Sequence, residues 1–201
     1  GADRALAAGL GIAVAGLARH HGAPAEGVVP LAMEGHGREE EAVAARPDLS
    51  RTVGWFTAIR PVAVDPRGPA GQVRDRLVAD LDGEPDHGIG FGLLRHLNPD
   101  TAAELAPLPL PEIEFNYLGR FDRRAPRDWG FADEDDVLDV AVEPDMRQRF
   151  PLTVIARTVD GVDGPRVHAD LIHPVAVFDD AVVADLGRRW GAALREVTGQ
   201  G

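Results

Sequence analysis

The run Val28–Met33, VVPLAM, has no polar residue, and it ends at a charged stretch broken by two glycines, EGHGREEE. An apolar run of that length between breakers reads as a buried strand. A buried strand needs strand neighbours and a layer packed over it, and the rest of the chain supplies both. Leu6, Leu10, Ala13, Val14 and Leu17 recur at helical spacing, which predicts an amphipathic helix over about 3–19, capped by Asp3 and stopped at Gly22. Residues 52–64, TVGWFTAIRPVAV, form a long β-rich run with Gly54 as a bulge. Val73, Leu77, Val78 and Leu81 mark a second helix, and 88–97 a short third helix or turn. Residues 107–111 form a stiff connector. IEFNYL, 113–118, alternates like a strand, and Leu152–Thr158 and Val167–Ile172 read as paired strands around the turn VDGVDGP. Val182, Val183, Leu186, Trp190, Ala193, Leu194 and Val197 make a terminal amphipathic helix. The class is α/β, a mixed β-sheet flanked by helices. The charged segment 120–148 is the expected long loop, and a loop of that length in a compact unit points to functional or partner-facing use.

Composition removes whole classes of function. With 201 residues, 44% hydrophobic and 27% charged, the chain has material for one or two folded domains. No stretch approaches the roughly 18 unbroken apolar residues of a membrane helix, and the opening GADR shows no signal-peptide pattern. A soluble, cytoplasmic protein is expected. There is no cysteine, so disulfides, thiolate metal sites and cysteine nucleophiles are excluded. A net charge of -12 argues against nucleic-acid binding. No lysine occurs, which removes Schiff-base chemistry.

Several polar groups are candidates for chemistry. Glu34 follows the buried strand, where loops emerge at a sheet edge, and a partly desolvated carboxylate there is suited to general-base work. His36 and Arg38 lie near enough in sequence to stabilise its ionised form; the alternative is a solvated Arg–Glu loop. Asn116 and Tyr117 point to opposite faces of a regular strand. Asn116 then faces either a cavity, where its amide donates to a carbonyl oxygen, or a neighbouring loop. His20 and His21 end the first helix, where histidines meet the negative end of the helix dipole. GIGFG, 88–92, lacks phosphate-loop spacing. The acidic run ADEDD, 132–136, lacks the spaced ligands of a calcium loop, and no His/Glu set has zinc spacing. No metal site is expected.

Four segments in order change the weighting: EGHGRE (34–39), RTVGWFT (51–57), PDHGIGFG (85–92) and FNYLGRFD (115–122). Together they resemble the signature motifs of the epimerization domains of nonribosomal peptide synthetases, members of the condensation-domain superfamily. DRALAAGLG, 3–11, loosely resembles the helix motif that precedes them. The resemblance implies a fold of two chloramphenicol-acetyltransferase-like halves with an active-site tunnel between them. An HHxxxDG histidine motif belongs to the N-terminal half. HHGAPAE, 20–26, fails that pattern, because Ala25 and Glu26 stand where Asp and Gly are needed. Residues 1–201 are accordingly expected to be the C-terminal subdomain, with the N-terminal half absent from this sequence.

The resemblance further implies inversion of Cα in an aminoacyl or peptidyl thioester carried on the 4'-phosphopantetheine of a peptidyl carrier protein. Glu34 would be one acid/base group and the histidine of the other half its counterpart. Asn116 would donate toward the thioester or pantetheine, with Tyr117 as a second candidate. His36 and Arg38 would hold Glu34 or orient its loop, Trp55 and Phe56 would be tunnel wall, and Glu39 to Glu41 would lead outward into solvent. The chain would bind no cofactor of its own. Its partners would be the N-terminal half, the carrier protein and neighbouring synthetase domains. Two other readings remain: a docking module without chemistry, and amide-forming acyl transfer.

Overall fold

The computed structural model describes residues 1–23, 27–42, 45–122 and 147–199. Helices α1 (Ala2–His20), α2 (Ala70–Asp82), α3 (Gly90–His96), α4 (Ala102–Leu105) and α5 (Asp180–Val197) accompany strands β1 (Val29–Gly35), β2 (Ala58–Val64), β3 (Ile113–Asp122), β4 (Leu152–Gly161) and β5 (Gly164–Ile172). The strands form one sheet in the order β2-β1-β3-β4-β5. β2 and β5 are antiparallel to their neighbours, and β1, β3 and β4 run parallel. The mixed sheet expected from the sequence is therefore present, with β1 inside it, as its apolar run requires.

Period-2 alternation divides each strand between two faces. Leu31, Met33, Phe115, Val154 and Ala156 are buried in a core with α1, α2 and α5. Ala32, Glu34, Glu114, Asn116 and Thr153 fall on the opposite face by the same alternation, and the pairing register sets them side by side.

The first helix departs from its expected amphipathic form. Every residue from Leu6 to Gly11 is buried, because α1 is packed by α2, by α5 and by the sheet. Its glycines make this possible: a Cβ at Gly9 would collide with Leu194 of α5, and one at Gly11 with Val64 of β2. Such close approach leaves no room for a larger residue in a core at crystal-like density. Asp3 does not cap this helix. Gly1 occupies the cap, and Asp3 lies in the first turn, where its charge still favours the positive end of the helix dipole. His20 and His21 close the helix, as expected.

Trp190 of α5 joins three elements. Its ring is buried edge-on to Phe115 of β3, with centroids 6.4 Å apart, and its indole N–H donates to the Leu6 carbonyl of α1 at 3.0 Å. A buried indole needs such a partner.

Other expectations need correction. Only Ala58–Val64 of the 52–64 run pairs as a strand; Gly54 lies before it and is no bulge. The ladder irregularity falls instead between Tyr117 and Arg120. β3 continues to Asp122, so residues 120–122 belong to the sheet rather than to a loop. The rest of the expected long loop, including 132–136, falls mostly on 123–146, outside the described residues. A short helix, α4, precedes the proline connector and has no counterpart in the sequence-based expectations. Among the described residues no helix is long and apolar enough to cross a membrane.

Trp190→Ala is expected to cost about 3–5 kcal/mol of unfolding free energy, the range for truncating a buried aromatic, measured by urea denaturation. Trp190→Phe is expected to cost less, because it keeps most of the packing while losing the bond to Leu6.

Candidate active site

The site forms where β1 and β3 run side by side. Met33 pairs with Phe115 in parallel register, so the next residues, Glu34 and Asn116, become neighbours. The Asn116 side-chain amide donates to the Glu34 carboxylate. Glu34 is not in a loop after the strand: β1 extends through Gly35, and Glu34 lies opposite Ile59 of β2. The ladder to β2 at Glu34 itself, and the ladder to β3 that ends one residue before it at Met33, give this carboxyl a fixed origin, which a loop would not.

Its environment makes Glu34 an unusual acid. Partial burial is the largest cause that pushes its pKa from 4.5 up to about 7. Glu114 pushes it further, first by its negative charge and then by a carboxyl–carboxyl hydrogen bond, while Arg149 opposes them. Glu114 is itself held by the Thr153 hydroxyl of β4, which donates at 2.9 Å. The result is a carboxyl that exchanges its proton near neutrality, the condition that favours general acid/base work. A pocket of about 300 Å³ opens at the same strand end, lined in part by Glu34, His36, Glu39, Arg60 and His87.

The loop after β1 behaves differently from expectation. Neither His36 nor Arg38 holds Glu34 in its ionised form. The Arg38 guanidinium donates to the carbonyls of Leu49 at 2.6 Å and Thr52 at 2.9 Å, and it stacks over the Phe56 ring, 4.2 Å from its centroid. Arg38 thus orients the loops, the other role expected of it, by tying residues 49–56 to the turn after β1. Phe56 is the platform for this clamp. His36 accepts the Arg38 backbone N–H at 3.0 Å and stands 3.5 Å from Glu39. Glu39 also meets His87, at 3.1 Å, so it is a half-sheltered bridge rather than a lead into solvent. Glu40 accepts the Leu49 backbone N–H. Gly37 permits the turn, with φ of 63°, and a Cβ there would land on the Phe56 carbonyl oxygen.

The remaining candidates are separated from Glu34. Tyr117 follows the alternation to the helix side, packs against the core, and its hydroxyl lies 2.9 Å from that of Thr158. Trp55 is 90% exposed and is not among the residues lining the pocket that Glu34 borders. Among the described residues, no cluster of His, Asp and Glu has the arrangement to hold a metal ion.

The sequence model of the family described as Condensation domain matches residues 27–200. The chain belongs to the condensation-domain family. A linear gramicidin synthase from Brevibacillus parabrevis is 33% identical to this condensation-domain chain over 182 residues, covering 88% of it and 2% of the relative. Chondramide synthase cmdD from Chondromyces crocatus is 44% identical over 98 residues, covering 48% of the chain and 2% of the relative. The chain therefore spans only a small part of these synthases. Its fold is shared with the epimerization domain from the third module of tyrocidine synthetase B, at a TM-score of 0.70 and 24% identity, over 98% of this chain and 41% of that one. It is also shared with the starter condensation domain of rhizomide synthetase, at 0.55 and 13%, over 98% and 42%. The chloramphenicol-acetyltransferase-like architecture read from the motifs is thus the architecture of this condensation-domain chain.

Glu114 is absent from the sequence-based candidates. It stands two residues before Asn116, hence on the same strand face, and that periodicity is enough to nominate it once β1 and β3 are known to be neighbours.

The sign of the Glu34 shift fixes a stability effect. Its folded pKa lies above its unfolded value, so the native state binds the proton more tightly. The associated stability is complete below about 4.5 and is lost as pH rises toward about 7. Glu34→Gln is therefore expected to raise the melting temperature at about pH 8 and to leave it nearly unchanged at about pH 4, as followed by calorimetry. An equal effect at both values would contradict the shift.

Proposed function

We propose that this chain is the C-terminal half of an epimerization domain, inverting Cα of an aminoacyl or peptidyl thioester from L to D. The observation that carries the reading is Glu34: a half-buried carboxyl at the end of an internal strand, with a pKa near neutrality and an amide at its side. A carboxylate of ordinary acidity is a weak base for a Cα–H bond, and raising its pKa toward the working pH improves it.

In the proposed reaction the thioester acidifies Cα–H. The Glu34 carboxylate takes the proton, and the C–H electron pair moves into a Cα–C double bond as the carbonyl becomes an enolate oxygen. A second acid/base group returns a proton to the opposite face, and the thioester is restored with inverted configuration. That second group is proposed to be the histidine of an HHxxxDG motif in the N-terminal half. The Asn116 amide carries two N–H groups; one serves Glu34, and the other is the proposed donor to the thioester or pantetheine oxygen. Preorganised donors of this type stabilise developing oxyanion charge. Tyr117 is left with a supporting place in β3. The substrate would arrive on the 4'-phosphopantetheine of a peptidyl carrier protein, and the chain would work among neighbouring synthetase domains.

The fold alone does not separate this reaction from amide-forming condensation, since both kinds of domain share it. What favours epimerization is the pairing of EGHGRE with FNYLG, whose Glu34 and Asn116 meet across β1 and β3. A docking module would have no need of a carboxyl held at neutral pKa.

With the N-terminal half supplied and a carrier-bound aminoacyl thioester as substrate, Cα proton exchange with deuterated solvent is expected. Glu34→Gln is expected to lower the exchange rate by about 10²-fold or more, followed by mass spectrometry of the released amino acid. Unchanged exchange in that variant would remove Glu34 from the mechanism. Amide product in place of D-product would assign the chain to condensation. Residues 1–201 by themselves are expected to be inactive, and epimerization by them alone would overturn the two-half arrangement.

A further inference from the structure

We propose that Glu114, fixed by the Thr153 hydroxyl, is a positioning residue that sets the basicity of Glu34 and aims its carboxyl. The inference rests on the epimerase reading of Glu34 and deepens it.

Three adjacent strands contribute. β1 carries Glu34, β3 carries Glu114 and Asn116, and β4 carries Thr153. Glu114 pairs with Ala32 on one side and Thr153 on the other, so backbone ladders hold it from both flanks. Its carboxylate accepts from Thr153 at 2.9 Å and faces Glu34, whose other polar neighbour is Asn116. The chain of contacts therefore runs from Thr153 to Glu114, from Glu114 to Glu34, and from Asn116 to Glu34.

Asn116 by itself would make Glu34 a stronger acid, because a donor to a carboxylate favours its charged form. Glu114 acts in the opposite sense. A second carboxyl at hydrogen-bonding range disfavours the charged form of Glu34, by its like charge and by the bond itself. The Thr153 hydroxyl donates to the Glu114 carboxyl at 2.9 Å from the other side and so holds it against Glu34. The other charged group that faces Glu34 is Arg149, from the segment before β4, and its influence favours the carboxylate. From β2 the residue opposite is Ile59, which is neutral; Arg60 and His87, which line the same pocket, are paired with Glu84 at 2.6 Å and with Glu39 at 3.1 Å. In the loop beyond Glu34, His36 is engaged with Glu39 and Arg38 with Leu49 and Thr52.

Glu114 takes no proton from the substrate. It keeps Glu34 a strong enough base to accept one, and it restricts the carboxyl to the plane set by its two neighbours.

The test uses the two-half protein and the rate of Cα exchange across pH. In the native protein the rate is expected to fall on the acid side with a midpoint near the Glu34 value of about 7. Glu114→Gln is expected to move that midpoint to lower pH by roughly one unit or more, the size of shift a close charge produces. Its rate above the midpoint is expected to fall, because a weaker base transfers the proton less well. Glu114→Asp is expected to return the midpoint part of the way. Thr153→Val keeps both carboxyls but removes the donor that holds Glu114 against Glu34, so the midpoint again moves to lower pH. That variant carries the test if Glu114→Gln does not fold. An unmoved midpoint in both Glu114→Gln and Thr153→Val, with Glu34→Gln inactive, would overturn the role of Glu114 while leaving Glu34 as the base. Exchange surviving in Glu34→Gln would instead overturn the functional reading itself.

Discussion

The parallel pairing of β1 with β3 is the constraint on which the rest depends. Setting Met33 beside Phe115 does two things at once. On one face it places Phe115 against Trp190 and the helices. On the other it places Glu34 beside Asn116 and within reach of Glu114. A slip of one residue would turn every side chain of β1 over, sending Glu34 into the apolar core and Met33 out of it. The core and the site are thus specified by the same register, and the cost of burying a charge in the core protects the geometry of the site.

The site works against folding to a modest degree. A half-buried carboxyl with another carboxyl beside it is stabilised only while it keeps a proton. The surrounding structure compensates by rigid construction: ladders hold three strands together, and the guanidinium of Arg38 locks the following loop to Leu49, Thr52 and Phe56. The positive φ at Gly37 lets that loop turn close to the Phe56 carbonyl. The residues nearest the base in sequence therefore brace it indirectly, and the residues that tune it come from strands far away along the chain.

This division explains what the sequence alone disclosed. Helical and strand periods are legible because they are local: α5 and β3 follow from spacing, and strand alternation correctly assigns Asn116 and Tyr117 to opposite faces. The motif order points to the condensation fold and draws attention to Glu34 and Asn116. Pairing partners are not local, so Glu114 escapes notice although it shares the parity of Asn116. The same limit misplaces Arg38, whose carbonyl partners carry no signal of their own, and it extends β2 through 52–57, where β propensity yields to the Arg38 clamp. The burial of Leu6–Gly11 all round α1 depends on Gly9 and Gly11 meeting Leu194 and Val64, contacts that no periodicity within one helix reveals.

The sheet sets Glu34 where burial and Glu114 push its pKa up to about 7, and the chemistry assigned to the site depends on that value. The most direct measurement is a titration of the Glu34 side-chain carbon by NMR, with carbon-13 in the glutamate carboxyls and Glu34→Gln used to assign the signal. A midpoint near 7 is expected. A midpoint near the ordinary value of 4.5 would contradict it, and would leave the site with a carboxylate too weakly basic for the chemistry assigned to it.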